Sequence, residues 1–212
     1  MLKVNEIFFS IQGESVYSGK PFIFIRLAGC NLRCKYCDTR YAYKDGELYS
    51  IESILAKIKK YSIRNVEITG GEPLLQSETV ELLNDLLKQG DQVLLETNGS
   101  VSLSPVPEEV VKVMDIKTPD SGEVDSFMLE NLECLNSNDN IKFVLSSRKD
   151  FDWSVEFCEE HNLYEKCELL FSAVKEELKY SDLCDWILEA GINVRFQPQL
   201  HKLIWPNQKR GV

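Results

Sequence analysis

Phe22-Ile23-Phe24-Ile25-Arg26-Leu27-Ala28-Gly29-Cys30-Asn31-Leu32-Arg33-Cys34-Lys35-Tyr36-Cys37 is the stretch on which the reading of this chain turns. Its first part is a short apolar run of β-branched and aromatic residues and predicts a strand over 22–27. Its second part places three cysteines in eight residues, spaced CxxxCxxC, with no fourth cysteine nearby. A structural zinc site closes with four protein ligands, and an electron-transfer cluster usually takes four cysteines. Three thiolates instead hold three corners of a four-iron cluster and leave its fourth iron open to a small-molecule ligand. Gly29, without a Cβ, lets backbone approach the sulfurs, and Tyr36 can stack on a planar group held there. The alternative is a zinc knuckle completed from afar, for instance by His201, which nothing in the spacing supports.

Further strand-like runs lie at 66–69, 92–96, 110–116, 141–145, 168–171 and 192–196. Helical periodicity lies between several of them, at 51–61, 78–89, 153–161 and 181–190, with Gly90 and Gly191 as stops. The segment 103–109, with Pro105 and Pro107, is too broken for a long helix, and 136–140 reads as an ordinary loop. Alternating strand and helix implies parallel strands with right-handed crossovers. Six or seven strands are fewer than the eight of a closed barrel. The expected fold is therefore α/β: an incomplete, TIM-like barrel of six or seven mostly parallel strands with crossover helices, in one domain over 1–212. Its active site should lie at the carboxyl ends of the strands. The unusual residues do fall there: the cysteine loop, Gly70-Gly71-Glu72-Pro73, Thr97-Asn98-Gly99 and Lys117-Thr118-Pro119 each follow a predicted strand.

Composition narrows the function classes. With 212 residues and 43% hydrophobic content, the chain can bury a sizeable core. A formal net charge of −10 repels phosphate backbones and anionic lipid, so neither nucleic acid nor membrane is an expected partner. The start shows no signal-peptide layout and no apolar run approaches a membrane span, so the expected compartment is the cytoplasm. Seven cysteines, three of them in one loop, make a poor disulfide framework and fit metal binding in a reducing compartment. Cys134, Cys158, Cys167 and Cys184 read first as small buried side chains, with an auxiliary cluster as the alternative.

The cysteine spacing, with an aromatic residue before the last cysteine and a GGEP turn downstream, resembles the radical S-adenosylmethionine superfamily. The resemblance implies that the open iron chelates the amino and carboxylate groups of S-adenosylmethionine, whose reductive splitting yields a 5′-deoxyadenosyl radical. A longer match narrows this: Glu6-Ile7-Phe8-Phe9-Ser10-Ile11-Gln12-Gly13-Glu14-Ser15, Gly19-Lys20-Pro21, Cys37-Asp38-Thr39, Glu96-Thr97-Asn98-Gly99 and Gln199-Leu200-His201-Lys202. Together these resemble the 7-carboxy-7-deazaguanine synthase family over nearly the whole chain.

That resemblance implies a ring contraction: 6-carboxy-5,6,7,8-tetrahydropterin becomes 7-carboxy-7-deazaguanine with loss of ammonia, in queuosine and other 7-deazapurine biosynthesis. The implied cofactors are a [4Fe-4S] cluster, S-adenosyl-L-methionine and Mg2+. The implied partners are the pterin, a flavodoxin- or ferredoxin-type reductant and a second copy of the chain in a homodimer. By the same resemblance Cys30, Cys34 and Cys37 hold the cluster and Thr39 the magnesium. Thr39 read alone is better taken as a helix N-cap. Cofactor contacts fall to Tyr36, Cys37, Asp38, Gly71, Glu72, Asp115, Ile116, Lys117 and Ser172. Asp115-Ile116-Lys117 keeps only the lysine of a serine-proline-lysine segment, and Ser172 stands where the family often has glutamine-proline. Substrate contacts fall to Ile11, Gln12, Gly13, Glu14, Arg26, Thr69 and His201. The guanidinium of Arg26 matches a carboxylate bidentately, and the amide of Gln12 can both donate to and accept from a pterin edge. His201 reads equally as a satisfied core histidine, and the sequence leaves open whether the C-terminal tail reaches the site. Two other functions compete: a glycyl-radical-enzyme activase, and an iron–sulfur electron carrier without substrate.

Overall fold

Seven parallel strands form the body of the sheet in the computed structural model, which describes residues 1–212. They are β2 (Pro21–Leu27), β4 (Asn65–Gly70), β5 (Gln92–Thr97), β6 (Val111–Ile116), β7 (Asn140–Leu145), β8 (Glu168–Ala173) and β9 (Arg195–Phe196). Two antiparallel strands, β1 (Leu2–Ile11) and β3 (Glu47–Tyr49), extend the sheet beyond β2, giving the order β3-β1-β2-β4-β5-β6-β7-β8-β9. The strand count therefore exceeds the expected six or seven. In β1 the alternation of buried Leu2 and Val4 with exposed Lys3 breaks down at Asn5 and Glu6, where a β-bulge shifts the register. β3 has three residues and none of them is buried, so it carries no periodic signal.

Helices α1 (Ile51–Ile58), α2 (Thr79–Lys88), α3 (Arg148–Glu160) and α4 (Tyr180–Ala190) cover one face of the sheet, and a short α5 (Leu200–Ile204) follows β9. α3 begins five residues before its expected start. Its polar first turn hides a cap: the Ser147 side chain accepts the Asp150 N–H. The link from β5 to β6 lacks a helix, as Pro105 and Pro107 require. The β6–β7 link also carries only 3-10 turns, at Pro119–Ser121 and Leu129–Cys134. The presumed loop 136–140 is pinned: the buried Asp139 accepts backbone N–H groups from Lys112 at 2.7 Å and Asn136 at 2.8 Å, and Asn140 already belongs to β7.

The two faces of the sheet differ, and this places the site. Side chains alternate along a strand. Ile23, Ile25 and Leu27, then Ile68, Leu95, Met114, Ile116, Phe143 and Phe171, point toward the helices and join the main core of 34 residues. On the opposite, inner face, a small cluster of Phe8, Phe22, Phe24, Leu94, Val111 and Val113 fills the N-terminal half. Nearer the carboxyl ends the same face turns polar, with Arg26, Thr69, Glu96, Asp115 and Lys142. Apolar packing thus floors the barrel, and charge gathers at its mouth. No helix is long and apolar enough to cross a membrane. Of the four remote cysteines, Cys158 is buried in the core, Cys134 and Cys167 pack against it, and all are free thiols.

Candidate active site

A cavity of about 750 Å³ opens at the carboxyl ends of the strands. Cys30, Cys34 and Cys37 line it together with Tyr36, Asp38, Thr39 and Gly71, and so do Ile11, Gln12, Gly13, Glu14, Arg26, Thr69 and His201. Close backbone approaches bring these segments together. A Cβ on Gly71 would stand 2.2 Å from the Gly29 carbonyl and 2.6 Å from Cys30 Cβ, so only glycine lets the turn after β4 lie against the cysteine loop. A Cβ on Gly13 would stand 2.3 Å from His201 Nδ1, and Leu200 N–H donates to the Gly13 carbonyl at 3.0 Å. His201 thus lies in α5, after the last strand, at the cavity wall and not in the core. The tail also reaches the cavity, through Pro206, Gln208, Lys209 and Val212.

Three expected cofactor contacts stand apart from the cavity lining. The fully buried carboxylate of Glu72 accepts from Asn98 N–H at 2.7 Å, Leu74 N–H at 3.0 Å and the Thr97 hydroxyl at 2.9 Å. It braces the GGEP turn against the turn after β5. Ile116 alternates with Asp115 and Lys117, so its side chain enters the core while theirs face the site. Ser172 is fully buried on β8, and its hydroxyl has no protein partner.

The donor set fits a four-iron cluster. Three free thiols line the same cavity, and Cys30 Sγ accepts the Leu32 N–H at 3.4 Å. No three His, Cys, Asp or Glu side chains converge on a single point, and a cluster held by one thiolate per iron needs no such convergence. Burial pushes the Cys34 thiol up to about 11, and the Lys117 ammonium counters it. Magnesium also fits. Thr39 stands at the N-cap position of the 3-10 turn Arg40–Tyr43, but its hydroxyl donates to Asp38 Oδ1 at 2.8 Å and makes no capping bond. Hydroxyl and carboxylate are hard oxygen donors, and magnesium takes few protein ligands. Desolvation raises the Asp38 carboxyl, but Lys202 Nζ at 2.6 Å overrides it and holds the acid below the usual carboxylate range.

The largest feature that the expected contacts omit is Lys142. Its side chain, 4% exposed, pairs with Glu14 Oε2 at 2.8 Å, Asp115 Oδ2 at 3.2 Å and the Glu96 carboxylate. Asp115 Oδ1 in turn pairs with Lys117 Nζ at 2.9 Å, and Glu96 Oε2 accepts from the Thr69 hydroxyl at 3.0 Å. One charged chain therefore runs from the Gln12–Glu14 segment across three strands to the cysteine side. Burial works to raise the Glu14 carboxyl, yet Lys142 outweighs it, His201 adds to the effect, and the acid lies at about 2. A signal existed in the sequence. Parallel strands covered on both faces read as continuous apolar runs, so Glu67 in Val66-Glu67-Ile68 and Lys142 in Ile141-Lys142-Phe143 mark an inner polar face.

Glu67 behaves differently. Burial first, then the neighbouring Glu96, push its carboxyl up to about 8. Its side chain accepts from the Gln12 amide, whose own oxygen takes the Glu14 N–H at 3.1 Å. Both ends of the Gln12 amide are thus engaged within the protein. The native state keeps a proton on Glu67 that the unfolded chain releases near the ordinary value of 4.5. Stability should therefore fall as pH rises from about 4.5 to about 8. Glu67→Gln should abolish that fall and melt higher than wild type at pH 8, by about 2–4 °C per kcal/mol recovered. Thermal melts across pH 5–9 measure it, and parallel wild-type and variant profiles would reject a protonated Glu67.

Three thiols with an open corner, at the mouth of a partial parallel barrel, define a radical S-adenosylmethionine enzyme. The model of the radical SAM superfamily matches residues 24–129, and the chain belongs to that superfamily. It is 42% identical to the 7-carboxy-7-deazaguanine synthase of Koribacter versatilis over 226 aligned positions, covering 100% of both chains. It is 40% identical to the synthase of that name from Chlorobaculum tepidum, covering 100% of this chain and 97% of the relative. The chain belongs to the 7-carboxy-7-deazaguanine synthase family. Among solved structures, QueE from Escherichia coli superposes with a TM-score of 0.79 at 25% identity, over 93% of each chain. Streptococcus suis SuiB bound to S-adenosylmethionine shares the fold, with a TM-score of 0.52 at 16% identity over 84% of this chain and 46% of that one.

Proposed function

We propose that this chain converts 6-carboxy-5,6,7,8-tetrahydropterin to 7-carboxy-7-deazaguanine with loss of ammonia, as a radical carbon–nitrogen lyase of 7-deazapurine biosynthesis. The observation that carries the reading is the shared cavity: the three thiols, the segment Ile11–Glu14, Arg26, Thr69 and His201 all line it. A cluster held by Cys30, Cys34 and Cys37, with S-adenosylmethionine, would supply the radical chemistry. The chain's own residues bind, orient and shield. Arg26 offers its guanidinium to the substrate carboxylate. Glu14, Glu96 and the backbone of 11–14 offer acceptors to the amino-pyrimidine edge, and Lys142 pairs with both carboxylates and holds the Glu14 acid below its usual range. Tyr36, Asp38, Gly71, Asp115 and Lys117 line the cavity and are the cofactor contacts, while Ser172, fully buried outside the lining, is not one. The deciding experiment is anaerobic reconstitution with reductant, S-adenosylmethionine, magnesium and carboxytetrahydropterin, with the product identified by mass spectrometry. Absence of a deazapurine from fully reconstituted enzyme rejects the reading.

Thr39 is the magnesium ligand in this reading. Thr39→Ala should raise the magnesium concentration for half-maximal turnover by about tenfold, the scale of one lost hydrogen bond to a charged group. A magnesium titration that superposes on wild type removes Thr39 from the metal. The reductant is a flavodoxin- or ferredoxin-type protein, the compartment is the cytoplasm, and the working form is a homodimer, which light scattering on the purified chain tests.

A further inference from the structure

One carboxylate sits between the candidate substrate anchor and the end of the chain. The bulge in β1 places Glu6, not Asn5, opposite Arg26 in the β1–β2 ladder. Without the shift, the register that pairs Val4 with Leu27 would bring Asn5 opposite Arg26, because a bulge re-aims the side chains that follow it. Glu6 Oε1 takes Arg26 Nε at 2.9 Å and the Tyr41 hydroxyl at 3.0 Å. Glu6 Oε2 takes the Gly211 N–H at 3.1 Å. The two side chains of the ion pair are 15% and 13% exposed, so little solvent competes.

The geometry leaves Arg26 half used. Its guanidinium is bonded to protein through Nε alone, while its faces lie 5.5 Å from the Phe8 ring and 5.9 Å from the Tyr41 ring. Held there, it turns its terminal pair of nitrogens, the edge that takes a carboxylate bidentately, away from Glu6. Arg210, one residue before the tethered amide, stacks on the same Tyr41 at 4.5 Å, and Val212 reaches the cavity.

We infer that Glu6 is a positioning residue: it orients Arg26 toward a carboxylated ligand and, through Gly211, straps the C-terminal tail over the cavity. The inference rests on the reading that the cavity takes a carboxylated pterin. Its first test needs no substrate. Hydrogen exchange of the peptide 206–212 is followed in full-length wild type, Glu6→Ala and Glu6→Gln. Exchange at 210–212 should speed by about fivefold in Glu6→Ala and by less in Glu6→Gln, whose amide oxygen keeps one acceptor. The second test is kinetic. The KM for carboxytetrahydropterin should rise by about tenfold in Glu6→Ala, with a smaller change in kcat. A chain ending at Arg210 should show part of that rise, and combining it with Glu6→Ala should be less than additive. Unchanged tail exchange or full additivity overturns the inference. Should Glu6→Ala not fold, the nearly isosteric Glu6→Gln decides by the same two readouts. A wild type that turns over no pterin defeats the functional reading instead, and tail exchange still decides whether Glu6 holds the strap.

Discussion

Cys34→Ala should yield a folded protein that retains no complete cluster after reconstitution and no pterin turnover. Cys34 is 8% exposed and its side chain is small, so the deletion leaves only a minor cavity beside the site. Its thiol is one of three corners, and the cysteine loop holds no spare. Turnover should fall by more than about a thousandfold, a loss above about 4 kcal/mol of transition-state stabilisation. Iron content, visible absorbance and the electron paramagnetic resonance spectrum with added S-adenosylmethionine provide readouts independent of activity. Full iron content in the variant, with a spectrum that still responds to S-adenosylmethionine, would show that the ligand set has been misassigned. A wild-type spectrum that ignores S-adenosylmethionine would favour a simple electron carrier.

Lys142→Met should be the most destabilising single change at the site. Methionine fills similar volume but leaves Glu14, Glu96 and Asp115 without their shared cation. Breaking a buried ion pair costs about 3–5 kcal/mol. Glu96 keeps 28% of its side chain in solvent, so the lower end of that range, about 3 kcal/mol, applies here. The pH dependence has a definite sign. In wild type the depressed Glu14 acid contributes stability that is present above its ordinary value of 4.5 and is lost as pH falls toward about 2. Without Lys142, burial, the largest single effect on Glu14, is opposed only by His201 and the Gln199 amide and raises its acid, so the variant should regain stability as pH falls. The gap between the two proteins should therefore widen from pH 5 to pH 8. Urea unfolding at those two pH values measures it, and a gap that is the same at both would mean that Lys142 does not hold Glu14 ionised.

Much of this protein was legible without coordinates because its signals are local. The CxxxCxxC loop, the glycine turns and the strand–helix alternation each need only neighbours in sequence. The seven parallel strands were found in order, as were α1, α2 and α4 to within a few residues. What escaped lacked a local pattern: β1 is interrupted by its own bulge, β3 is too short to alternate, and the first turn of α3 is polar.

The amino-acid order alone determined where the thiols stand, which strands run parallel, and that the site lies beyond their carboxyl ends. A strand's period of two and the reach of three close cysteines are properties of the chain itself. Which side chains meet inside the barrel was decided only by the tertiary structure. Lys142 stands 128 residues from Glu14, and Gly211 stands 205 from Glu6. Register and burial bring such pairs together, and only there, out of water, does one cation hold the Glu14 acid below its ordinary value while Glu67, with no cation paired to it, keeps its proton.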